Sequence, residues 1–335
     1  MKIDAALMSS DFTKSGEVAA NLERQGFAAA WGFEGPHDPF FPIVLAAQKT
    51  QRLELGTAIA VAFARNPMIC AGIGWDLQTL SEGRFSLGLG TQIRPHIEKR
   101  FSQPWSKPAA RMREFILAIR AIWKTFTTGE RLDFRGEFYT HTLMTPVFNP
   151  GPNPFGPPKL FVSGVGPKMV EVVGEVADGF FVHPFHSPAF LESETLPALE
   201  RGLATAGRDR QSISISCQTI VAIGSNDEEI AAARQKAKGQ ISFYGSTPAY
   251  KGVLDHHGYN NVQPVLNRMS KEGRWLEMIN EIDDDLFDIL GVSGTPAEAG
   301  EKLAKRNAFA QRTTLMLYNE TDPDAVMDTI RAAGG

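Results

Sequence analysis

A chain of 335 residues, 43% hydrophobic and 21% charged, can bury a large core, which excludes a disordered or fibrous protein. Thirty-four Lys and Arg against 38 Asp and Glu leave a net charge of -4, which offers no electrostatic footprint for nucleic acid or an anionic membrane. The two cysteines, Cys70 and Cys217, lie in apolar runs; they exclude a disulfide framework or cysteine zinc site and are expected as reduced core residues.

The first residues, MKIDAALMSSDF, contain too short an apolar run for a secretory leader, and no apolar stretch reaches the ~18 residues of a membrane span, so a soluble, cytoplasmic protein is expected. Strands are predicted over residues 2–7, 28–34, 53–61, 85–90, 159–163, 179–184, 213–223 and 313–318. Amphipathic helices are predicted between them over 15–25, 68–80, 109–126, 169–176, 189–206, 227–240 and 297–305. Several of the strands are apolar almost throughout, as strands covered on both faces must be. Eight strands alternating with helices predict an α/β fold, one (β/α)8 TIM barrel over residues 1–335 with insertions at about 133–158 and 244–290. The first insertion carries FRGEFYTHT and then NPGPNPFGPP, which is too rich in Pro and Gly for a helix or a central strand. The second, SFYGSTPAYKGVLDHHGY followed by a polar helical run, is long enough for a lid or for a contact in a homodimer or higher homo-oligomer.

In such a barrel the chemistry belongs to residues just past the C-terminal ends of the strands. After the second strand, GFEGPHDPFFP sets Glu34, His37 and Asp38 on a turn opened by Gly35, Pro36 and Pro39, with Phe40 and Phe41 able to exclude water. A histidine beside an acid under apolar cover suits a proton donor, because imidazole titrates near neutrality. Asp38 ahead of Pro39 suits a helix cap equally well. After the third strand, Ala58, Ala60 and Ala62 would let a flat ligand approach the mouth, or simply fill a narrow interior. After the fourth, Gly90 permits a close backbone approach, and Thr91 or Gln92 can hydrogen-bond a heterocycle.

After the fifth strand, Ser163, Gly164, Val165 and Gly166 run into a helix begun by Pro167, with Lys168 adjacent. Unpaired N–H groups and the helix dipole there converge as a phosphate cradle, although such glycines also serve a plain strand-to-helix turn. GVGPKM lacks the third glycine of the dinucleotide fingerprint. After the sixth strand His183 and His186 have a spacing that suggests metal ligands, but the neighbouring prolines and the missing acidic partner point to no metal.

GRFSLGLGTQ after a helix ending DLQTLSEG, LGTAIAVAFARNP before it, and SGVGPKMVEVVGEVADGFFV later in the chain resemble the luciferase-like flavin-dependent oxidoreductase superfamily. EGPHDPFFP, ARMREFILAIRAIW, DFRGEFYTHTLMTP and FYGSTPAY are similar to its subgroup of coenzyme F420-dependent oxidoreductases. The resemblance implies a barrel that binds coenzyme F420 at its C-terminal mouth and moves a hydride to or from a small organic substrate. It implies catalytic roles for His37 and Asp38, although relatives carry that pair in the order Asp-His. It also implies a non-prolyl cis peptide behind the ring at Ala58–Ile59, and coenzyme contacts from Gly90, Thr91, Gln92, Ser163, Gly164, Val165, Gly166, Pro167, Lys168 and His183. FMN is the alternative cofactor, with a monooxygenase as the alternative activity, and a non-catalytic flavin-binding barrel is a third possibility of a different class.

Overall fold

Strands β1 (Lys2–Ala6), β2 (Ala29–Gly32), β3 (Glu54–Thr57), β4 (Phe85–Gly90), β5 (Lys159–Ser163), β6 (Gly179–Val182), β7 (Ser214–Ile223) and β8 (Arg312–Leu317) pair in parallel in chain order, and β8 returns to β1. This is the eight-stranded (β/α)8 barrel that the alternation of strands and helices predicts, seen in a computed structural model that describes residues 1–319 and 321–334. Helices such as Ser15–Arg24, Phe40–Lys49, Pro67–Leu80, Pro108–Thr128 and Pro167–Val176 cover the outside. Ile3, Leu55, Leu87, Val162 and Ile215 point outward from the strands into that helical layer and are almost wholly buried.

The opposite set of strand residues fills the barrel. Trp31, Phe161 and Phe181 meet there with ring centroids 4.9 to 5.6 Å apart and form the floor beneath the C-terminal mouth. Glycines opposite them make the room: a Cβ on Gly56 would collide with the Trp31 ring, and one on Gly88 with the Thr57 carbonyl. Below this floor Arg312 grips the buried Asp4 carboxylate at two points, 2.7 and 2.8 Å, and Trp31 Nε1–H donates to Asp4 at 2.9 Å.

The strand predicted over 53–61 is not continuous. β3 ends at Thr57, the Ala58–Ile59 bond is cis, and pairing with β4 resumes at Ala60–Val61. A strand that the sequence reading lacks, Gly291–Gly294, pairs with the far half of β7, where Ile220 faces Gly291. With four residues, two of them glycine, it shows no periodicity to read. The C-terminal helix Pro323–Ala332 is likewise additional to the predicted set.

In the first insertion a short hairpin pairs Phe134–Arg135 with Thr140–His141. The second contributes helices Lys251–His256, Val262–Lys271 and Asp284–Leu290, which pack with the helix Asp227–Gly245 around Ile241, Leu254, Leu266 and Phe287 over the end of β7. Among the described residues no helix is long and apolar enough to cross a membrane.

Candidate active site

β2 delivers the chain to a loop that is held from the neighbouring strand. Glu34 Oε2 accepts from the Val61 N–H at 2.7 Å and from Arg65 Nη1 at 2.5 Å. The other terminal nitrogen of Arg65 donates to Asp38 Oδ2 at 2.8 Å, and Asp38 Oδ1 accepts from the Phe40 N–H at 2.9 Å. Glu34 and Arg65 are largely buried, and their pairing raises the guanidinium further above its ordinary range although burial alone would lower it. Both Asp38 oxygens are therefore committed, one to the helix that starts at Phe40 and one to Arg65. His37 is exposed beside them with its ring 5.1 Å from Phe12, and it makes no hydrogen bond among the described residues.

The next two strands bring main chain rather than reactive side chains to the mouth. Ala58 N–H donates to the Gly32 carbonyl at 2.6 Å and Glu34 N–H to the Ile59 carbonyl at 3.1 Å, so the segment carrying the cis bond is pinned to the end of β2. The space over Gly90 is taken by the Ile59 side chain, which would stand 2.8 Å from an added Cβ. Gly90 thus makes room for the Ile59 side chain. Thr91 Oγ1 donates to the Gln92 carbonyl at 2.9 Å; Gln92 sits at a φ of 60° with its amide oxygen turned back to the Ile93 N–H at 3.0 Å. The Gln92 NH2 remains free for a ligand among the described residues.

After β5 the chain passes through Ser163–Gly166 into the helix Pro167–Val176, whose cap residue Gly166 supplies no side-chain hydrogen bond. The N–H groups of Val165, Gly166 and Lys168 have no acceptor among the described residues. A Cβ on Gly166 would point into open space, whereas one on Gly164 would stand 2.6 Å from Met169 Cγ. The two glycines therefore differ: Gly166 keeps a concave edge open, and Gly164 allows the helix to pack. Lys168 is exposed at this edge and forms no ion pair among the described residues. Free N–H groups, a helix N-terminus of ten residues and an unpaired ammonium fit a phosphate ester.

Past the neighbouring strand β6, which pairs with β5, His183 stacks on Tyr250 at 4.3 Å and meets the edge of Tyr244 at 4.8 Å. Tyr244 Oη lies 3.4 Å from Tyr318 Oη at the end of β8. His183 Nδ1 accepts from the Phe185 N–H at 3.1 Å, which places the imidazole proton on Nε2. Burial pushes the His183 imidazole down to about 3. His186 does not turn towards His183 to form a metal site; its Nδ1–H donates to the His183 carbonyl at 2.8 Å. Among the described residues no three His, Cys, Asp or Glu side chains converge as metal ligands. Both cysteines are buried thiols, each pushed up to about 12 by burial.

Two groups escaped the sequence reading. Arg65 was hidden because a single arginine in FARNP carries no pattern, and only the fold places it between Glu34 and Asp38. The tyrosines come from three separate segments, one in a helix, one in the insertion and one past the last strand.

The profile of the luciferase-like monooxygenase family matches residues 2–312. An uncharacterized protein of Mycobacterium tuberculosis is 53% identical over 294 residues, 88% of this chain and 86% of that protein. A 5,10-methylenetetrahydromethanopterin reductase of Archaeoglobus fulgidus is 27% identical over 291 residues, 84% of this chain and 82% of the reductase. Among solved structures, the coenzyme F420 dependent tetrahydromethanopterin reductase from Methanopyrus kandleri superposes with a TM-score of 0.80 at 18% identity, covering 98% of this chain and 96% of that one.

Proposed function

Because the chain belongs to the luciferase-like monooxygenase family and is thereby an oxidoreductase, we propose that it transfers a hydride between coenzyme F420 and a small organic substrate at the C-terminal mouth. The observation that carries this reading is the edge after β5, where the N–H groups of Val165, Gly166 and Lys168 have no acceptor among the described residues, a Cβ on Gly166 would meet no atom within 4 Å, and Lys168 is exposed. That edge is the place for the coenzyme's phosphate. The reductase relatives support a deazaflavin rather than a flavin.

Bound there, coenzyme F420 supplies a ring carbon that takes up or releases the hydride. The protein supplies position and a proton. The main chain at Ala58–Ile59, fixed by hydrogen bonds to Gly32 and Glu34, is the backing for the ring, and Gln92 NH2 is a donor for its heteroatoms. His37 handles the proton, since Asp38 is held by Arg65 and Phe40 and serves to fix the turn.

FMN would meet the same phosphate edge, so a direct titration separates the two cofactors. Absorption and fluorescence titrations of the purified protein are expected to give a tighter Kd for coenzyme F420 than for FMN. Micromolar binding of FMN with no binding of coenzyme F420 would instead make this chain a flavin enzyme.

A further inference from the structure

The mouth has a second wall that the proposed hydride chemistry leaves without a task. By strand alternation His183 shares the inward face of Phe181 on β6, and Tyr318 shares that of Arg312 on β8. These two strands flank β7, and Tyr244 bridges them, meeting His183 edge-on and Tyr318 hydroxyl to hydroxyl. Tyr250 closes the group by stacking on His183. β6 stands opposite β2 in the closed barrel, so this aromatic wall faces the His37 turn across the mouth.

We propose that His183, Tyr244, Tyr250 and Tyr318 form the substrate-recognition wall and select an uncharged organic molecule, held by its carbonyl or hydroxyl oxygen. This rests on the oxidoreductase reading above and adds the class of substrate. Three features support it. His183 Nε2 carries the ring proton and has no acceptor among the described residues, while the imidazole as a whole is only partly exposed, so a donor is left facing the mouth. The Tyr244 and Tyr318 hydroxyls share one hydrogen bond and Tyr244 also meets the Gln240 side chain, so the second polar point of the wall is an uncharged hydroxyl pair. No charged side chain belongs to the wall: Lys251, beside Tyr250, is taken by Asp255 at 2.5 and 2.6 Å. A carboxylate or phosphate substrate would find no counter-ion here and would lose its hydration uncompensated. Burial also keeps His183 uncharged and raises the three tyrosines above their ordinary range, so the wall stays neutral across the working pH.

The same wall has a support on its outer side. The Arg306 guanidinium donates to the carbonyls of His186 and Ile289, at 2.8 and 3.0 Å, and His186 in turn holds the His183 carbonyl. Arg306 thereby couples the insertion helix Asp284–Leu290 to the loop that presents His183, as a positioning residue.

Cyclohexanone tests the neutral oxygen and cyclohexanecarboxylate, of similar shape, tests the charge. Ligand-observed NMR titrations on the purified chain, run with and without coenzyme F420, give a Kd for each probe. Cyclohexanone is expected to bind at least tenfold more tightly than the carboxylate. His183→Phe and Tyr318→Phe should each weaken cyclohexanone about 3–10-fold, the worth of one neutral hydrogen bond, and Tyr318→Phe should leave the coenzyme Kd within twofold of wild type. Tyr318→Phe removes a single oxygen and so remains informative if His183→Phe folds poorly. Cyclohexanone binding in a protein that binds no coenzyme F420 would support this wall while overturning the coenzyme assignment. Preference for the carboxylate, no binding of cyclohexanone, or loss of coenzyme rather than ketone binding in Tyr318→Phe would overturn the wall itself.

Discussion

Arg65 lies 2.8 Å from Asp38 through one terminal nitrogen and 2.5 Å from Glu34 through the other, so one guanidinium ties the end of β2 to the turn that bears His37. The two arms are not equivalent. The Glu34 side chain is 7% exposed and that of Asp38 38%, so the Glu34 contact is the dry one and the Asp38 contact is partly screened.

Removing the cation should therefore be costly in one arm only. Arg65→Ala leaves the buried Glu34 carboxylate without its partner and is expected to destabilise the fold by about 3–5 kcal/mol. Asp38→Asn keeps the cap on Phe40 and loses only the screened arm, at about 1 kcal/mol or less. Urea unfolding of the two variants checks the order, and equal costs would show that Glu34 is not buried against Arg65.

The difference between the two glycines of the cradle separates ligand binding from packing. Gly166 has a φ of -78° and ψ of 151°, a conformation that valine adopts readily, and its Cβ would enter open space. Gly166→Val should keep stability within about 0.5 kcal/mol and reduce coenzyme affinity more than tenfold. Gly164→Val, with its Cβ 2.6 Å from Met169 Cγ, should lose stability as well. Lys168→Ala, an exposed cation, should weaken binding less than Gly166→Val does. Normal coenzyme binding by a folded Gly166→Val protein would reduce the loop to a plain turn.

The barrel was legible in the sequence because its strands are apolar on both faces and its helices amphipathic, so each element carries its own periodicity. The glycine loop after β5 and the helix begun by Pro167 were legible because such a turn is a local signal. The packing of Ile59 against Gly90 was not legible, since the two residues meet only through the fold. Arg65, Tyr244, Tyr250 and Tyr318 were out of reach for the same reason: their partners lie 27 residues away for Asp38 and Arg65 and 74 for Tyr244 and Tyr318, and only closure of the barrel brings them together.

Acid should weaken the wall of the mouth through His186. This side chain is 3% exposed, and burial beside the Arg306 cation pushes its imidazole down to about 3. In the unfolded chain it titrates near ~6.5, so between these values the unfolded state takes up a proton that the folded state refuses. Its contribution is complete above pH ~6.5 and is lost progressively as the pH falls towards 3. From pH 7 to 4.5 this one group should remove roughly 2–3 kcal/mol. His186→Asn retains a donor for the His183 carbonyl but does not titrate, so its denaturation midpoint should fall less over the same range. Parallel losses in the two proteins would show that His186 is already solvated in the fold.

The choice between His37 and Asp38 follows from what each side chain is already doing. Asp38 accepts from Arg65 and from the Phe40 N–H, so its carboxylate is spent on holding the turn. His37 keeps both ring nitrogens free of hydrogen bonds among the described residues, so either can take up or hand over a proton. His37→Ala should leave the coenzyme Kd nearly unchanged and lower hydride-transfer turnover by roughly 10²–10⁴-fold, the usual contribution of a positioned acid or base. Asp38→Asn should lower it far less, because the amide oxygen still caps the helix and keeps His37 in place. Single-turnover measurements with a neutral substrate, alongside coenzyme titration of both variants, decide between them; full turnover without His37 and none without Asp38 would move the proton to Asp38 and make Arg65 its regulator.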